Sequence, residues 1–244
     1  MKVAAVIPAR MESTRFFGKM LAPLLGFPLV GHVWRNVSRM HLFEEVIIAT
    51  PNTEIVDALK PLGAHVVQTP SSGIENGTER VAWVTRHYGR NWDWVINIQG
   101  DEPLLSQGAL LPLYSVLRTT SCPIVTLARW EADVSNADNH NIVKVVCDAQ
   151  SRALYFSRLP LLVSPEGFLA HVGVYAYQPA LLENLVKKQP CPAELYEKLE
   201  QLRALYYGWP IHVAVGHFDS VAVDVPSDIV RVEDFLRSQS LSQK

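Results

Sequence analysis

Three cations are concentrated in a segment that directly follows the first apolar run of the chain. They are Arg10, Arg15 and Lys19. The small residues that separate them are Ser13, Thr14 and Gly18, which leave backbone N–H groups open to an anion. An arginine can hold phosphate oxygens with two parallel N–H donors, and a lysine adds a mobile point charge. The segment therefore predicts a polyphosphate site, and the alternative is a solvated surface loop with ordinary cations.

Neither of two familiar nucleotide-binding patterns is present in this segment. The pattern GxxxxGK(S/T) of P-loop enzymes and the pattern GxGxxG of dinucleotide-binding enzymes are both missing from it. The missing glycine pattern counts against a dinucleotide-dependent oxidoreductase.

Carboxylates follow two other strand-like runs. Asp101 and Glu102 lie in NIQGDEP, after the apolar run at 94–98, and Asp224 lies in VAVDVPSD, before a predicted helix. Nucleoside triphosphates are bound together with Mg²⁺, which prefers carboxylate oxygens. Asp101 is therefore a candidate magnesium ligand and Glu102 a weaker one. For Asp224 the residues alone favour a helix cap over a metal ligand.

Arg80 stands in the first turn of a predicted helix, at the end of the segment GIENGTER. The N-terminus of a helix favours negative charge, so an arginine in this place indicates a negatively charged ligand. An ion pair with Glu75 or Glu79 would explain Arg80 equally well.

The elements that must position these groups alternate regularly in the first half of the chain. Apolar runs of strand length lie at 3–7, 45–50, 65–69 and 94–98. Apolar residues at helical spacing lie at 29–39, 54–62 and 78–88. This alternation predicts an α/β fold with βαβ crossovers and a mostly parallel sheet. In such a sheet ligands bind at the carboxyl ends of the strands, where the cationic segment and Asp101 are expected.

The second half contains fewer helical periods. Strands are predicted at 123–128, 143–147, 172–177 and 211–215. Helices are predicted at 192–207, where leucines recur every three or four residues, and at 227–236. We expect the 244 residues to form a single domain.

The amino-acid composition disfavours several classes of protein. Hydrophobic residues make up 48% and charged residues 19% of the chain, a balance typical of globular proteins. The net charge of −2, from 22 basic and 24 acidic residues, disfavours a nucleic-acid partner. No run approaches 18 apolar residues, so no membrane insertion is expected. The three cysteines form no CxxC pair, which favours a reducing compartment, the cytoplasm.

Seven segments of the chain resemble, in the same order, the motifs of one known family. IPARMESTRFFGK is similar to the family loop IPAR-x-x-STR-x-x-GK, NGTER to SGTER, and NIQGDEP to a QGDEP motif. The other four segments are ALYFSR, HVGVYAY, KLEQLRALYYG and VDVPSD. The family is that of the 3-deoxy-D-manno-octulosonate (Kdo) cytidylyltransferases, and the resemblance covers residues 3–232.

The resemblance implies a fold and a reaction. It implies the three-layer, Rossmann-like fold of nucleotide-diphospho-sugar transferases with a mostly parallel mixed sheet. The nucleotide-binding sheet is expected from about 1–130 and 205–240, and a small inserted sugar-binding and dimerisation region from about 131–204. In the implied reaction the anomeric 2-hydroxyl of Kdo attacks the α-phosphate of CTP, which gives CMP-Kdo and pyrophosphate for lipopolysaccharide biosynthesis. A homodimer is also implied.

The resemblance also implies a role for each residue that matches a family motif. The implied CTP-binding residues are Arg10, Ser13, Arg15, Lys19, Gly77, Arg80 and Gln99. The implied sugar-binding residues are Gln99, Arg158, His171, Tyr175, Glu200 and Gln201. The implied catalytic residues are Lys19, Arg15 and Asp101. Asp101 and Asp224 are implied to hold Mg²⁺, which reverses the interpretation of Asp224 as a cap.

Two of the implied sugar-binding residues also have a purely structural interpretation. His171 could be a buried, hydrogen-bonded core residue. The simplest interpretation of Tyr175 and Tyr177 places one in the core and the other at the surface.

The sequence departs from the family mostly near the implied sugar pocket. Phe17 replaces a proline of the phosphate loop, Ala170 replaces a basic residue, and Val225 replaces a threonine. The stretch at 159–169 is shorter than in the family and contains fewer charged residues. These departures leave open whether the sugar is Kdo, an 8-amino relative or a sialic-type acid. A nucleotidylyltransferase for a sugar 1-phosphate and a nucleotide-binding relative without turnover are further alternatives.

Overall fold

The computed structural model describes residues 1–13, 15–89, 91–161, 164–218 and 222–242. Thr14 of the cationic segment, Leu162 and Val163 of the short stretch at 159–169, and Val221 of the last motif lie outside these ranges.

Strands and helices alternate along the described chain. The strands are β1 (Val3–Pro8), β2 (Pro23–Leu24), β3 (Phe27–Pro28), β4 (Glu45–Thr50), β5 (His65–Gln68), β6 (Trp94–Asn97), β7 (Ile124–Glu131), β8 (Lys144–Cys147), β9 (Ala153–Ser157), β10 (Phe168–Tyr177) and β11 (Ile211–Gly216). The helices are α1 (Leu29–Ser38), α2 (Thr53–Leu59), α3 (Gly77–Tyr88), α4 (Gln107–Val116), α5 (Pro179–Leu185), α6 (Pro192–Glu197), α7 (Gln201–Tyr206) and α8 (Pro226–Ser242). The α/β fold and the order of elements predicted for the first half are confirmed.

The chain divides into two compact units. The parallel unit comprises the described residues of Lys2–Trp92, Asn97–Gln107 and Asp219–Lys244. The mixed unit comprises Met1, Asp93–Ile96 and the described residues of Gly108–Phe218. The functional roles expected for 131–204 stay predictions.

In the parallel unit, β4 lies between β1 and β5 and runs parallel to both. The residues Val3–Ile7 of β1 are all buried, as an apolar run on both faces predicts. Helix α3 packs against β1, and α1 packs against β4. Because β1 continues directly into the cationic segment, the buried strand fixes where that segment begins.

In the mixed unit, β7 lies between β10, which is antiparallel to it, and β11, which is parallel to it. Strand β8 pairs with β9 and also meets β10, where Lys144 lies opposite Ala170. The pairing of β10 with β7 shifts register between Val172 and Tyr175. A register shift of this kind redirects side chains and frees backbone groups from the ladder.

The helix predicted at 192–207 is wrong as one element, because the structure contains two helices there, α6 and α7. The break follows Glu197 at Lys198, whose φ of 56° is left-handed. The leucine spacing misled the prediction because Leu195 is 65% exposed, while Glu194 and Glu197 are buried on the inner side. A search for apolar residues at helical spacing does not detect a helix whose buried side carries polar residues.

Two helices of the mixed unit and the full length of the last helix were not predicted. Helix α4 is apolar on most sides and contains Pro112, so it lacks an amphipathic period. Helix α5 has seven residues, and α8 extends to Ser242 rather than ending at 236. No helix in the described part of the chain is long and apolar enough to cross a membrane.

Replacing Lys198 by glycine is expected to raise the free energy of unfolding by about 1 kcal/mol relative to Lys198→Ala, since glycine adopts the left-handed conformation without steric cost. In an ordinary helical position glycine is about 1 kcal/mol less stable than alanine, so the sign is diagnostic. Urea denaturation of the two variants measures the difference. A glycine variant that is no more stable than the alanine variant would contradict this account.

Candidate active site

The cationic segment forms a closed loop after β1. The backbone N–H of Gly18 donates to the Met11 carbonyl at 2.9 Å, and Gly18 has a φ of 71°, which favours glycine. The N–H of Met11 donates to the Asn52 side-chain oxygen at 3.1 Å. Phe16 packs against a buried apolar cluster that includes Leu24. The loop is therefore held at Met11, Phe16 and Gly18 by contacts within the protein.

Lys19 lies at the centre of a cluster of opposite charges. Its ammonium donates to Asp101 Oδ2 at 2.5 Å and to the Val223 carbonyl at 3.1 Å, and it lies 3.8 Å from Asp224 Oδ1. Arg15 donates to the same Asp224 oxygen at 2.9 Å. Lys19 as a residue is only 9% exposed, so these partners are needed to compensate its lost hydration. The structure thus brings the three implied catalytic residues and the second implied metal ligand together.

The interpretation of Asp224 as a helix cap is wrong. The carboxylate that accepts backbone N–H groups at the start of α8 belongs to Asp228, which binds the N–H of Asp224 at 2.8 Å and that of Val225 at 3.0 Å. The Asp224 carboxylate points instead to Arg15 and Lys19. Of these two aspartates, Asp228 caps the helix and Asp224 pairs with the cations.

The two carboxylates have a geometry that fits a hard cation. Oxygens of Asp101 and Asp224 both face the Lys19 ammonium, so they converge on one positive charge. Magnesium takes carboxylate oxygens and keeps several waters, so two protein carboxylates and a triphosphate would suffice to hold it.

Other implied CTP-binding residues lie around the start of α3. Gly77 is the first residue of α3, and a side chain there would come within 3.3 Å of the Pro8 ring, so glycine permits this close approach. Arg10 donates to the Glu75 carbonyl at 3.2 Å. Ser13 and Gln99 are both half-buried in the parallel unit.

Arg80 is buried, and its guanidinium donates to the Thr69 hydroxyl. Glu79 accepts instead from the backbone N–H of Glu75 and from the Asn76 side chain, as a residue of a helix N-terminus does. In the described part of the chain, Arg80 forms no ion pair at contact distance with Glu75 or Glu79, although the charge of Glu79 acts to raise its pKa. Burial lowers the pKa of Arg80, and the charge of Arg10 adds to this effect.

The mixed unit contains a second group of implied site residues. Arg158 donates through Nε to the Glu197 carbonyl at 3.1 Å and through Nη1 to the His140 carbonyl at 2.9 Å. The Glu197 carboxylate accepts from the Ser157 hydroxyl at 2.8 Å and from the Arg158 N–H at 3.0 Å. The guanidinium is thus oriented by carbonyl oxygens, and its described contacts include no carboxylate that neutralises it.

His171 and Tyr175 lie side by side on β10. The His171 ring meets Phe156 edge-on at 5.1 Å and Tyr175 at 5.3 Å, and its Nε2 lies 3.0 Å from the Thr126 hydroxyl. Burial lowers the pKa of His171 to about 3. Tyr175 and Tyr177 are both buried and stack at 5.8 Å, so the placement of one at the surface is wrong. Residues two apart in a strand lie on the same face.

Two buried polar atoms of this group lack a hydrogen-bond partner in the described chain, the Tyr175 hydroxyl and the Gln201 side-chain nitrogen. Tyr175 is 8% exposed and Gln201 is 9% exposed. Burial raises the pKa of Tyr175 well above its usual value, and nearby Tyr177 and Glu200 raise it further. The Thr126 hydroxyl acts to lower this pKa, but it does not form a hydrogen bond of good geometry with the Tyr175 hydroxyl. Buried donors without partners are rare in proteins, and they fit a polar ligand that completes them.

Four residues that hold the implied site residues or their neighbours in place were not predicted. They are Asn52, Thr126, Glu197 and Asp228. Each acts by holding another residue rather than by facing a ligand, so no motif of charge or spacing identified it. Asp228 carried a usable signal, since an acid in the first turn after a proline commonly caps a helix.

Comparison with known proteins identifies the relatives of this chain. A family model described as cytidylyltransferase matches residues 4–215. A 3-deoxy-manno-octulosonate cytidylyltransferase of Syntrophobacter fumaroxidans is 37% identical over 99% of each chain. The enzyme of the same name from Yersinia pseudotuberculosis serotype O:1b (strain IP 31758) is 39% identical over 98% of this chain and 100% of its own.

Solved structures give the same picture for the fold. A CMP:2-keto-3-deoxy-manno-octonic acid synthetase complexed with CTP is 30% identical and has a TM-score of 0.90 over 98% of this chain and 100% of its own. A 4-diphosphocytidyl-2C-methyl-D-erythritol synthase from Anaerococcus prevotii is 15% identical, with a TM-score of 0.65 over 97% of this chain and 98% of its own, and shares the fold. The nucleotide-diphospho-sugar transferase-like fold is confirmed.

Tyr175→Phe is expected to raise the free energy of unfolding of the ligand-free protein by about 1–2 kcal/mol, since it removes a buried hydroxyl without a partner. Ser157→Ala removes a buried hydroxyl that donates to Glu197, so it is expected to lower that free energy by about 1–3 kcal/mol. Urea denaturation compares the two variants. Shifts of the same sign would show that the Tyr175 hydroxyl is not an unsatisfied group.

Proposed function

The chain belongs to the cytidylyltransferase family, and we propose that it transfers CMP from CTP to the anomeric 2-hydroxyl of Kdo, giving CMP-Kdo and pyrophosphate for lipopolysaccharide biosynthesis. The observation that carries the proposal is the cluster of Lys19, Arg15, Asp101 and Asp224 beside a preformed loop. It supplies the cations and the carboxylates that a nucleoside triphosphate and its metal require.

In the proposed reaction, the work of the protein is positioning and neutralising charge. Arg15 and Lys19 bind the triphosphate and offset the negative charge that grows on the departing pyrophosphate. Asp101 and Asp224 would hold Mg²⁺, which would neutralise phosphate oxygens when bound. Arg10 and Ser13 complete the phosphate loop, and no nucleophilic side chain is needed, because the sugar hydroxyl itself attacks.

The nucleoside is proposed to bind at the start of α3. Gly77 leaves room next to β1, and the buried guanidinium of Arg80 offers donors to the cytosine. Gln99, which is half-buried after β6, is proposed to contact either substrate.

The sugar is proposed to bind to residues of the mixed unit. Arg158 has the charge and the fork geometry for the sugar carboxylate. Tyr175 and Gln201 offer buried polar atoms for hydroxyl groups, and Glu200 precedes Gln201 at the start of α7. These groups distinguish a hydroxylated acid from an apolar ligand.

The replacement at position 170 bears on the choice of sugar. Ala170 is buried in an apolar cluster with Ala137 and Phe168, so no charged side chain projects from this position. We propose that the acid sugar is recognised without a basic side chain at position 170. Kdo remains the proposed substrate, and 8-amino-Kdo and a sialic-type acid are the alternatives to be tested.

We also propose that the enzyme is a cytoplasmic homodimer. Exposed apolar side chains of the mixed unit support a second copy as the partner. Among them are Tyr196, which is 84% exposed on α6, Leu154 on β9, and Leu159, which follows β9.

Pyrophosphate release in the presence of Mg²⁺ tests the reaction. Release is expected with CTP and Kdo, and it is expected to be at least about a hundredfold slower with UTP, a sialic-type acid or a sugar 1-phosphate, because the pairing of polar groups sets specificity. Faster release with 8-amino-Kdo would assign the enzyme to that sugar. Binding of CTP without release for any sugar would support a non-catalytic relative and contradict the proposal.

The variant Asp101→Asn tests the role of this carboxylate in the same assay. It keeps the shape of the side chain and removes the charge, so turnover is expected to fall about a thousandfold while folding is retained. Asp57→Asn changes an exposed aspartate of α2 and is the matched control, with turnover unchanged. Near-normal turnover of Asp101→Asn would remove Asp101 from the proposed site.

Light scattering tests the dimer. The wild-type protein is expected to have twice the 27.3 kDa mass of one chain. Tyr196→Glu places a charge on the exposed apolar surface and is expected to shift the mass toward the monomer, whereas Tyr88→Glu, on α3 of the parallel unit, is expected to have no effect. A monomeric wild-type protein at working concentration would contradict the proposal.

A further inference from the structure

Thr126 on β7 makes two short contacts through one hydroxyl oxygen. The oxygen lies 2.8 Å from the Val174 carbonyl and 3.0 Å from His171 Nε2. Thr126 is completely buried, so solvent does not compete for either contact. The Val174 carbonyl lies where β10 shifts its register against β7, between Val172 and Tyr175, and the shift makes this carbonyl available to a side chain.

The proton on the Thr126 hydroxyl has one possible direction. Two oxygens 2.8 Å apart require a hydrogen between them, and a backbone carbonyl has none to give. The hydroxyl proton therefore points to the Val174 carbonyl. The contact with His171 is then a hydrogen bond only if Nε2 carries the proton and donates it to the threonine oxygen.

We infer that Thr126 is a positioning residue that fixes His171 as the Nε2–H tautomer, so that His171 Nδ1 serves as the acceptor for a hydroxyl group of the sugar. This inference rests on the proposed function and deepens it, because it assigns a direction to one hydrogen bond in the sugar site.

The inference requires a neutral ring, and the surroundings of His171 provide it. The ring has Phe156 edge-on and Tyr175 beside it, and His171 as a whole residue is only partly buried. Burial lowers the pKa of His171 to about 3, so the ring is uncharged near neutral pH. In a neutral imidazole whose Nε2 is protonated, Nδ1 is an acceptor and cannot donate.

The tautomer decides what can bind beside His171. Nδ1 accepts a hydrogen from an alcohol but repels a carboxylate oxygen, which has no hydrogen to offer. The Gln201 amide nitrogen is a donor, and the Tyr175 hydroxyl can donate or accept. Together these groups match a ligand with several hydroxyls, and they leave the sugar carboxylate to Arg158.

Long-range ¹H–¹⁵N correlation spectra of the ¹⁵N-histidine-labelled protein test the tautomer directly. His171 is identified by the signals that disappear in His171→Asn. We expect a protonated Nε2 and an unprotonated Nδ1 near pH 7, in the absence of any substrate. A protonated Nδ1, or a doubly protonated ring, would overturn the inference whether or not the enzyme uses Kdo.

Two substitutions of Thr126 test its role in positioning. Thr126→Val keeps the shape and removes the oxygen, so we expect a mixture of His171 tautomers and an approximately tenfold rise in KM for Kdo, with KM for CTP unchanged. Thr126→Ser keeps the hydroxyl and is expected to restore both. A single Nε2–H tautomer in folded Thr126→Val would overturn the inference.

The serine variant keeps the test decisive if the valine variant does not fold. In that case the spectra of the wild-type and Thr126→Ser proteins must both show the Nε2–H form, and a different tautomer in either one would overturn the inference. If no acid sugar supports turnover while these spectra show the expected tautomer, the proposed function fails and the assignment of the ring proton stands.

Discussion

The ammonium of Lys19 is the group on which the organisation of the parallel unit depends. A buried cation is stable only when charges and dipoles replace its lost hydration. Lys19 obtains them from two other parts of the chain: the turn that carries Asp101, and the segment of Val223 and Asp224. The same contacts that stabilise the charge therefore align the loop with both carboxylates. In the proposed reaction a triphosphate and its metal replace these ion pairs with equivalent ones, so binding requires little reorganisation.

The mixed unit is organised by hydrogen bonds and an ion pair among buried polar side chains. Arg203 pairs with Glu194 inside the unit, and Glu197 holds the backbone N–H of Arg158 and the Ser157 hydroxyl. These requirements outweigh the leucine spacing, so the helix breaks at Lys198. Full satisfaction of one polar network gives a rigid frame. Against that frame, the unsatisfied atoms of Tyr175 and Gln201 are exceptions, and they fit a polar ligand that would complete them.

The sequence best predicted the strands and helices that are buried over most of their length. The runs of β1 and β4 were predictable because both faces of each strand are buried, and the cationic loop because its charges stand after such a strand. Prediction failed where a polar residue faces inward, as Glu194 does, or where a helix is apolar on most sides, as α4 is. It also failed to separate Asp224 from Asp228, because either spacing suits a cap. The contact with Lys19, made across more than 200 residues of chain, decides between them.

The two sets of groups select for different properties of their ligands. Charges that are already paired, such as Lys19 with Asp101, discriminate weakly among anions, since any phosphate can replace a carboxylate. Donors without partners discriminate strongly, because a ligand that lacks the matching group leaves them buried and unsatisfied. A fixed tautomer at His171 strengthens this effect, since it removes the freedom of the ring to adapt to the wrong ligand. In the proposed reaction the choice of sugar therefore depends on neutral hydrogen bonds of the mixed unit, and the charge cluster of the parallel unit serves the chemistry common to all nucleoside triphosphates.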